Sequence, residues 1–306
     1  MRKWRFFPIL IKEKIVKHMC IRDIVSFAKC SKKCQKLLTF VPIHLASFLI
    51  NKSHNGNQRH RLRSNDLISL ADFSVLATSR KFYVKQLEVI KHTRKNKDGL
   101  KVFIKKLTES QKLLKIRELK MVIGRKHVEL ITRLLGICDP FYIESIEIHE
   151  LYSQEIYEEL VKTPQWRNSK RVMLNSYGEN RRLVMPNVNI DDFLHFETVQ
   201  LSVETLDIND AVKFIQNFRN ASELITFCIR CRDPMQHDLI RHKIETSWIG
   251  DWKRSEHLKC GYIMHPTKRD RVFHFECSSF SLQGGWSLLE EFNAIQVIIE
   301  GLVARQ

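Results

Sequence analysis

The apolar residues of this chain fall into short runs whose period changes partway along. Between Phe7 and Leu38 the spacing is helical: Ile11, Ile15 and Met19 recur at four-residue steps, which is one face of a helix. Asp23 is placed to cap a second helix with Ile24, Phe27 and Ala28 on its apolar side, and Ser31 to cap a third carrying Cys34, Leu37 and Leu38. Helices this short bury little core of their own, so such a unit leans on a neighbour or docks a partner. Pro42 restarts a predicted helix through Ile43, Leu45, Phe48 and Leu49. The polar, basic run Asn51–Asn65 reads as an exposed loop. Asp66 then opens an amphipathic helical stretch over Leu67, Leu70, Phe73 and Leu76, continuing to Val84, Leu87, Val89 and Ile90, and Leu100–Lys115 reads as another helix.

From Ile116 onward strand-like runs alternate with helical ones. Strands are predicted at Arg117–Ile123, Ser145–Leu151, Arg171–Asn175, Thr198–Val203 and Ile225–Cys231, with helices at His127–Ile137, Gln154–Trp166, Ile190–Phe196 and Asn209–Ala221 between them. Matched apolar positions Leu119, Ile146, Val172, Val199 and Ile225 are separated by 27, 26, 27 and 26 residues. One strand and one helix per ~20–29 residues is the scale of leucine-rich repeats. Units of this kind bury their apolar faces by stacking into a parallel sheet backed by helices. The expected fold is therefore α/β: N-terminal helices (1–45), a basic helical linker (46–115), then an irregular leucine-rich-repeat-like stack of strand–helix units (116–306). Its end departs from the rhythm. Trp248 and Trp252 mark an aromatic stretch, Leu258–Met264, Val272–Cys277 and Ile295–Ile299 look like strands, and Gly284-Gly285 looks like a turn.

Composition narrows the class. An apolar fraction of 43% supports a packed core, and the eight cysteines are scattered in apolar runs as reduced thiols are. That pattern suits the cytoplasm or nucleus. No apolar run approaches the ~18 residues of a membrane span, so no membrane partner is expected. The net charge of +17 is unevenly placed. Residues 1–130 hold 31 Lys/Arg and 9 Asp/Glu, net +22, whereas residues 131–306 hold 20 and 25, net −5. An acidic partner is expected for the N-terminal part.

Candidate chemistry is sparse. Cys228-x-x-Cys231 with His237 and His242 has a zinc-like composition, but residues three apart on a strand point to opposite faces. No Gly-rich phosphate loop, Gly-x-Ser-x-Gly or His-Glu-x-x-His sequence occurs. The paired carboxylates Glu158-Glu159, Asp191-Asp192 and Glu290-Glu291 sit in surface-like segments rather than in buried pairs. No enzyme activity and no cofactor are expected. The basic runs Arg59–Arg63 and Lys91–Lys97 could meet phosphates but carry few interleaved aromatics.

Two stretches resemble known families. The run FPILIKEKIVKHMCIRDIVSFAKCSKKCQKLL, with Phe7-Pro8 in place of Leu-Pro, resembles an F-box. Further on, Thr163-Pro164-Gln165-Trp166-Arg167-Asn168-Ser169-Lys170 followed by a strand resembles the Gln-Trp-Lys-x-Ala-Lys signature of the FTH domain, which follows the F-box in a family expanded in nematodes. The resemblance implies a non-catalytic substrate receptor of an SCF-type ubiquitin ligase. Its F-box would bind a Skp-type adaptor, and through it a cullin, using Phe7, Pro8, Ile9, Ile11, Ile15, Ile24, Phe27 and Leu37. The repeat domain would hold an unidentified protein substrate. Residues of one parity on its strands, among Glu147, His149, Met173, Asn175, Gln200 and Ser202, would line the substrate face. Nucleic acid is not among the expected partners, and the alternative reading is a basic nucleic-acid-binding protein using residues 50–130. Trp166, whose ring can wedge into the next strand, is expected to be a core residue.

Overall fold

The computed structural model describes residues 8–38, 41–50, 61–62, 73, 76–77, 81–91, 97–124, 129–149, 151, 153–175, 187–220, 226–247, 253–254, 260–264 and 270–291. Three helices open it: α1 (Ile9–His18), α2 (Ile21–Cys30) and α3 (Lys32–Leu38). The first strands follow, β1 (Ile43–Ile50), β2 (Arg61–Leu62) and β3 (Phe82–Lys91), and then strand–helix alternation. The chain divides into two compact units, one of Met1–Glu150 with Glu158–Ser169, the other of Leu151–Tyr157 with Lys170–Gln306.

In the first unit, helix α4 (Lys97–Glu109) leads to β4 (Lys115–Ile123), and α5 (Glu129–Gly136) leads to β5 (Ser145–His149). The strands are ordered β2-β1-β3-β4-β5. β1, β3, β4 and β5 run parallel, and β2 is antiparallel to β1. Two sequence-based expectations are corrected here. The stretch restarted by Pro42 is a strand, and so is the second half of the stretch opened by Asp66. The cause is a slip in alternation at aligned positions of three neighbouring strands. Leu45 pairs with Val84 and Val84 with Ile116; Phe48 pairs with Leu87 and Leu87 with Leu119. All six are buried, three residues apart on each strand, and a three-residue apolar gap imitates a helix. Phe73 seals this core, stacked on Phe48 at 3.9 Å and edge-on to Phe82 at 5.5 Å. The predicted helix from Leu100 to Lys115 ends at Glu109; Gln111 turns the chain with φ 52°, and Lys115 already belongs to β4.

Helices α6 (Gln154–Val161) and α7 (Pro164–Asn168) replace the single helix predicted over Gln154–Trp166. Pro164 lacks an N–H and disfavours helical backbone at Thr163. Thr163 accordingly becomes an N-cap, its Oγ1 accepting from the Trp166 N–H at 3.2 Å.

The second unit orders β6 (Arg171–Asn175), β7 (Thr198–Val203) and β8 (Thr226–Cys231) as parallel neighbours. Beyond β8 come β12 (Ser281–Leu288), β11 (Arg271–Cys277), β10 (Cys260–Met264) and β9 (Lys253–Arg254), all antiparallel. Helix α8 (Ile208–Asn220) packs on β12 and on α9 (His237–Ser247). Phe214 and Phe218 meet the β8 residue Phe227 edge-on at 5.3 and 5.2 Å. The Trp286 indole donates to the Phe218 carbonyl at 3.0 Å. The 27-residue steps hold where strands pair: Leu119 faces Ile146 and Val172 faces Val199. Val199 faces Phe227, however, so the final step is 28 residues and Ile225 is not the aligned position. The predicted helix at Ile190–Phe196 is a 3-10 turn over Ile190–Phe193.

Gly284-Gly285 is not a turn but the middle of β12. A Cβ on Gly284 would lie 2.3 Å from the His274 carbonyl oxygen, so only glycine lets β12 approach β11 there. Trp248, Trp252 and Ile295–Ile299 lie outside the described residues.

Candidate docking surface

The three N-terminal helices are held by local capping. Pro8 stands at the N-cap of α1, its carbonyl accepting from Ile11 and Lys12 N–H at 3.1 Å. Cys20, not Asp23, caps α2: its Sγ accepts from the Asp23 N–H at 3.4 Å while Asp23 sits in the first turn, where its charge favours the helix N-terminus. Ser31 caps α3, its Oγ accepting from the Cys34 N–H at 3.1 Å.

Packing then separates the apolar residues into two sets. Ile21, Ile24, Val25 and Ala28 of α2 and Cys34, Leu37 and Leu38 of α3 are buried, as is Val16 of α1. The stripe that the sequence marks on α1 points the other way. Ile11 is 43% exposed and Ile15 38%, and Leu10, which the four-residue spacing passes over, is 68% exposed. Pro8 is exposed and Phe27 half-buried. Of the eight residues assigned to docking by resemblance, Pro8, Ile11, Ile15 and Phe27 are therefore accessible. Ile24 and Leu37 are occupied inside the helical unit, Phe7 lies outside the described residues, and so does the side chain of Ile9. Leu10 has no signal in the helical spacing; adjacency to Ile11 is its only mark. The three helices are strongly basic: residues 8–38 hold eight Lys/Arg and two Asp/Glu, net +6.

The FTH-like signature is architectural. Trp166 is buried. Gln165, also buried, donates through Nε2 to the Cys138 carbonyl at 2.8 Å, and Ser169 Oγ donates to the Gln165 carbonyl at 2.7 Å. The signature thus satisfies a buried carbonyl that would otherwise be costly. Lys170 ends it with an ion pair to Glu197 at 2.8 Å.

Parity on the strands is resolved. Ile146, Ile148, Val172, Leu174, Val199 and Leu201 face the core, while Glu147, Met173, Gln200 and Ser202 are half-exposed; His149 and Asn175, at strand ends, are buried. On the half-exposed face of β3–β5, Lys120 lies 2.9 Å from Glu147 and 4.0 Å from Glu88, and His149 Nε2 lies 2.5 Å from Glu147. Burial pushes the Glu147 carboxyl up, but the hydrogen bonds of His149 and Lys120 outweigh it and hold it below its ordinary value.

The Cys228–Cys231 pair does not converge: Cys228 is half-exposed and Cys231 buried, with the Cys231 thiol pushed up to about 12 by burial and then by Cys277 and Asp233. Burial likewise raises Cys138 to about 12 and Cys277 to about 11. Such thiols stay protonated at neutral pH and are poor nucleophiles. Among the described residues, no three His, Cys, Asp or Glu side chains gather in a metal-holding group. No helix among them is long and apolar enough to cross a membrane.

Comparison with known proteins finds two domain families along the chain. An F-box domain matches residues 4–45, and an FTH domain matches residues 98–242. The chain therefore carries an F-box domain followed by an FTH domain. It is similar to F-box A protein 224 of Caenorhabditis elegans, 25% identical over 192 residues, which is 60% of this chain and 48% of the relative. The chain thus spans about half the length of the curated relative it matches. No solved structure matches it. F-box domains generally bind Skp-type adaptors, and F-box and FTH families are generally non-catalytic.

Proposed function

We propose that this protein is a non-catalytic substrate-receptor subunit of an SCF-type ubiquitin ligase. The F-box helices dock a Skp-type adaptor, which joins the receptor to a cullin, and the strand–helix domain holds a protein substrate. The observation that carries this reading is the outward apolar face of α1. Pro8, Leu10, Ile11 and Ile15 are exposed within the F-box match while, among the described side chains of α1, Val16 is the one buried. Exposed apolar residues clustered on one short helix mark a protein-docking surface. The net +6 of residues 8–38 suits an acidic adaptor. Such a receptor needs no reacting group, because tethering raises the substrate's effective concentration beside the ubiquitin-charged enzyme.

Co-expression with a Skp-type adaptor and affinity capture test it. The wild-type chain is expected to retain the adaptor and Ile11→Asp/Ile15→Asp to lose it. Retention by the double variant sinks the proposed face. Adaptor-independent, salt-sensitive binding of RNA or DNA through residues 50–130 would instead favour the nucleic-acid alternative.

A further inference from the structure

Four side chains that neither family match joins together form one row in the first unit. His44, Tyr83 and Lys115 stand at the starts of β1, β3 and β4 and are register neighbours across the parallel strands. His44 stacks on Tyr83 with ring centroids 4.8 Å apart and planes 10° from parallel. Tyr142, from the loop before β5, lies 5.3 Å from Tyr83. The Lys115 ammonium sits over both tyrosine rings, at 5.0 and 5.3 Å. Phe141, the chain neighbour of Tyr142, is 89% exposed. The turn's backbone is ordered: the Phe141 N–H donates to Asp139 Oδ1 at 3.0 Å, and the Tyr142 N–H to the Asp139 carbonyl at 3.0 Å. A large exposed ring carried on such a turn is available as an anchor for a partner.

We propose that this row docks an acidic segment of the substrate protein carrying one apolar or aromatic anchor; the inference rests on the substrate-receptor reading above. Charge decides the sign of the guest. Lys115 already occupies the tyrosine faces, so a cationic guest gains no cation–π contact there. Next to the row, exposed Lys85 and half-exposed Lys115 have no carboxylate partner among the described residues. The basic groups further along the same strands are neutralised, Arg117 by Glu144 at 2.8 Å and Lys120 by Glu147. Lys85 and Lys115 thus stand at the row against one carboxylate, Asp139, whose Oδ1 accepts from the Phe141 N–H and whose charge reaches Tyr142. A peptide fits better than a nucleic acid, because His44 and Tyr83 spend faces on each other instead of offering successive open platforms for bases. His44 falls in the F-box match, Tyr83 in neither match, and Lys115, Phe141 and Tyr142 in the FTH match.

Fluorescence anisotropy on the full chain tests this, with labelled Glu-rich peptides each carrying one Phe, Tyr or Leu, their Glu→Lys counterparts, and an oligouridylate. Saturable binding of the acidic peptides is expected, weakened about tenfold by Phe141→Ala and by Lys115→Glu, kept by Lys115→Arg, and absent for the Glu→Lys peptides. Phe141→Ala touches only an exposed ring, so its fold is expected to be intact by circular dichroism. No saturable binding, or binding unchanged by both variants, overturns the proposal; preference for oligouridylate at the same residues also overturns it, in favour of a nucleic acid. Adaptor capture measured on the same preparations separates the two readings. Lost capture with peptide binding intact refutes the ligase-receptor role alone, and kept capture without peptide binding refutes this site alone.

Discussion

Helix α1 and strand β4 carry apolar residues at comparable density, yet they bury them in opposite ways. On β4, Ile116, Leu119, Met121 and Ile123 are all inside. On α1, Val16 alone among the described side chains is buried, and Leu10, Ile11 and Ile15 face water. A strand in a parallel sheet has neighbours on both edges and a helical layer to cover its apolar face. Helix α1, followed by two others of ten and seven residues, has Leu10, Ile11 and Ile15 exposed among the described residues. The difference teaches that an apolar stripe reveals an element and its face, not whether the covering surface belongs to the same chain.

Substitutions on the two sides of this comparison should separate cleanly. Trp166→Ala removes a fully buried ring beside the Cys138 carbonyl anchor, and is expected to cost about 3–5 kcal/mol in urea denaturation. Ile11→Asp/Ile15→Asp should change stability by no more than about 0.5 kcal/mol while abolishing adaptor capture, since neither side chain is in the core. A large stability loss in the double variant would show that α1 packs inward after all. Gly284→Ala comes next in size. Its Cβ meets the His274 carbonyl and the Phe275 Cα of the paired strand, backbone that cannot rotate away. An overpacking cost of about 1–3 kcal/mol is expected, read as a lowered denaturation midpoint, with Gln283→Ala on the exposed side of β12 as the near-neutral control.

These same residues show where the sequence could be read and where it could not. The parallel strands after Ile116 were legible because helical segments, a 3-10 turn between β6 and β7 among them, fall between them, so their rhythm of about 27 residues stands out. β1 and β3 were not, because the slip at Ala46–Ser47 and Lys85–Gln86 leaves Leu45 and Phe48, and Val84 and Leu87, at helical spacing. Their strand character comes from pairing with each other and with β4, which no local pattern contains. Gly284 misled for a related reason: two glycines are a turn signal locally, but here they permit close approach of a partner strand. On helix α1, the apolar stripe itself was legible and its direction was not. Ile24 and Leu37 share the apolar character of Ile11, and only packing shows them to be spent inside the helical unit. The aromatic row was invisible because its members are 39, 32 and 27 residues apart and meet through strand register alone.

The smallest effect compares the two sheet-bearing units through their acid response. In the first unit Glu147 is ionised more readily in the folded state than its ordinary 4.5, since His149 and Lys120 outweigh the burial that opposes ionisation. The stabilisation is present above 4.5 and is lost as pH falls through the lower folded value. In the second unit His274 is held below its ordinary 6.5, chiefly by burial, with Glu276 only partly opposing. There the unfolded chain takes up a proton first, so stability present above 6.5 begins to decline as pH falls below it. On acidification the second unit should loosen before the first. Peptide-resolved hydrogen exchange, corrected for the intrinsic pH dependence of amide exchange, should show protection in β11 and β12 falling from about pH 6.5 downward while β4 and β5 hold until about pH 4.5. His274→Gln should flatten the first decline, and Glu147→Gln should flatten the second. Simultaneous loss in both units, unaltered by either substitution, would mean that they unfold as one cooperative body and that neither group governs its own region.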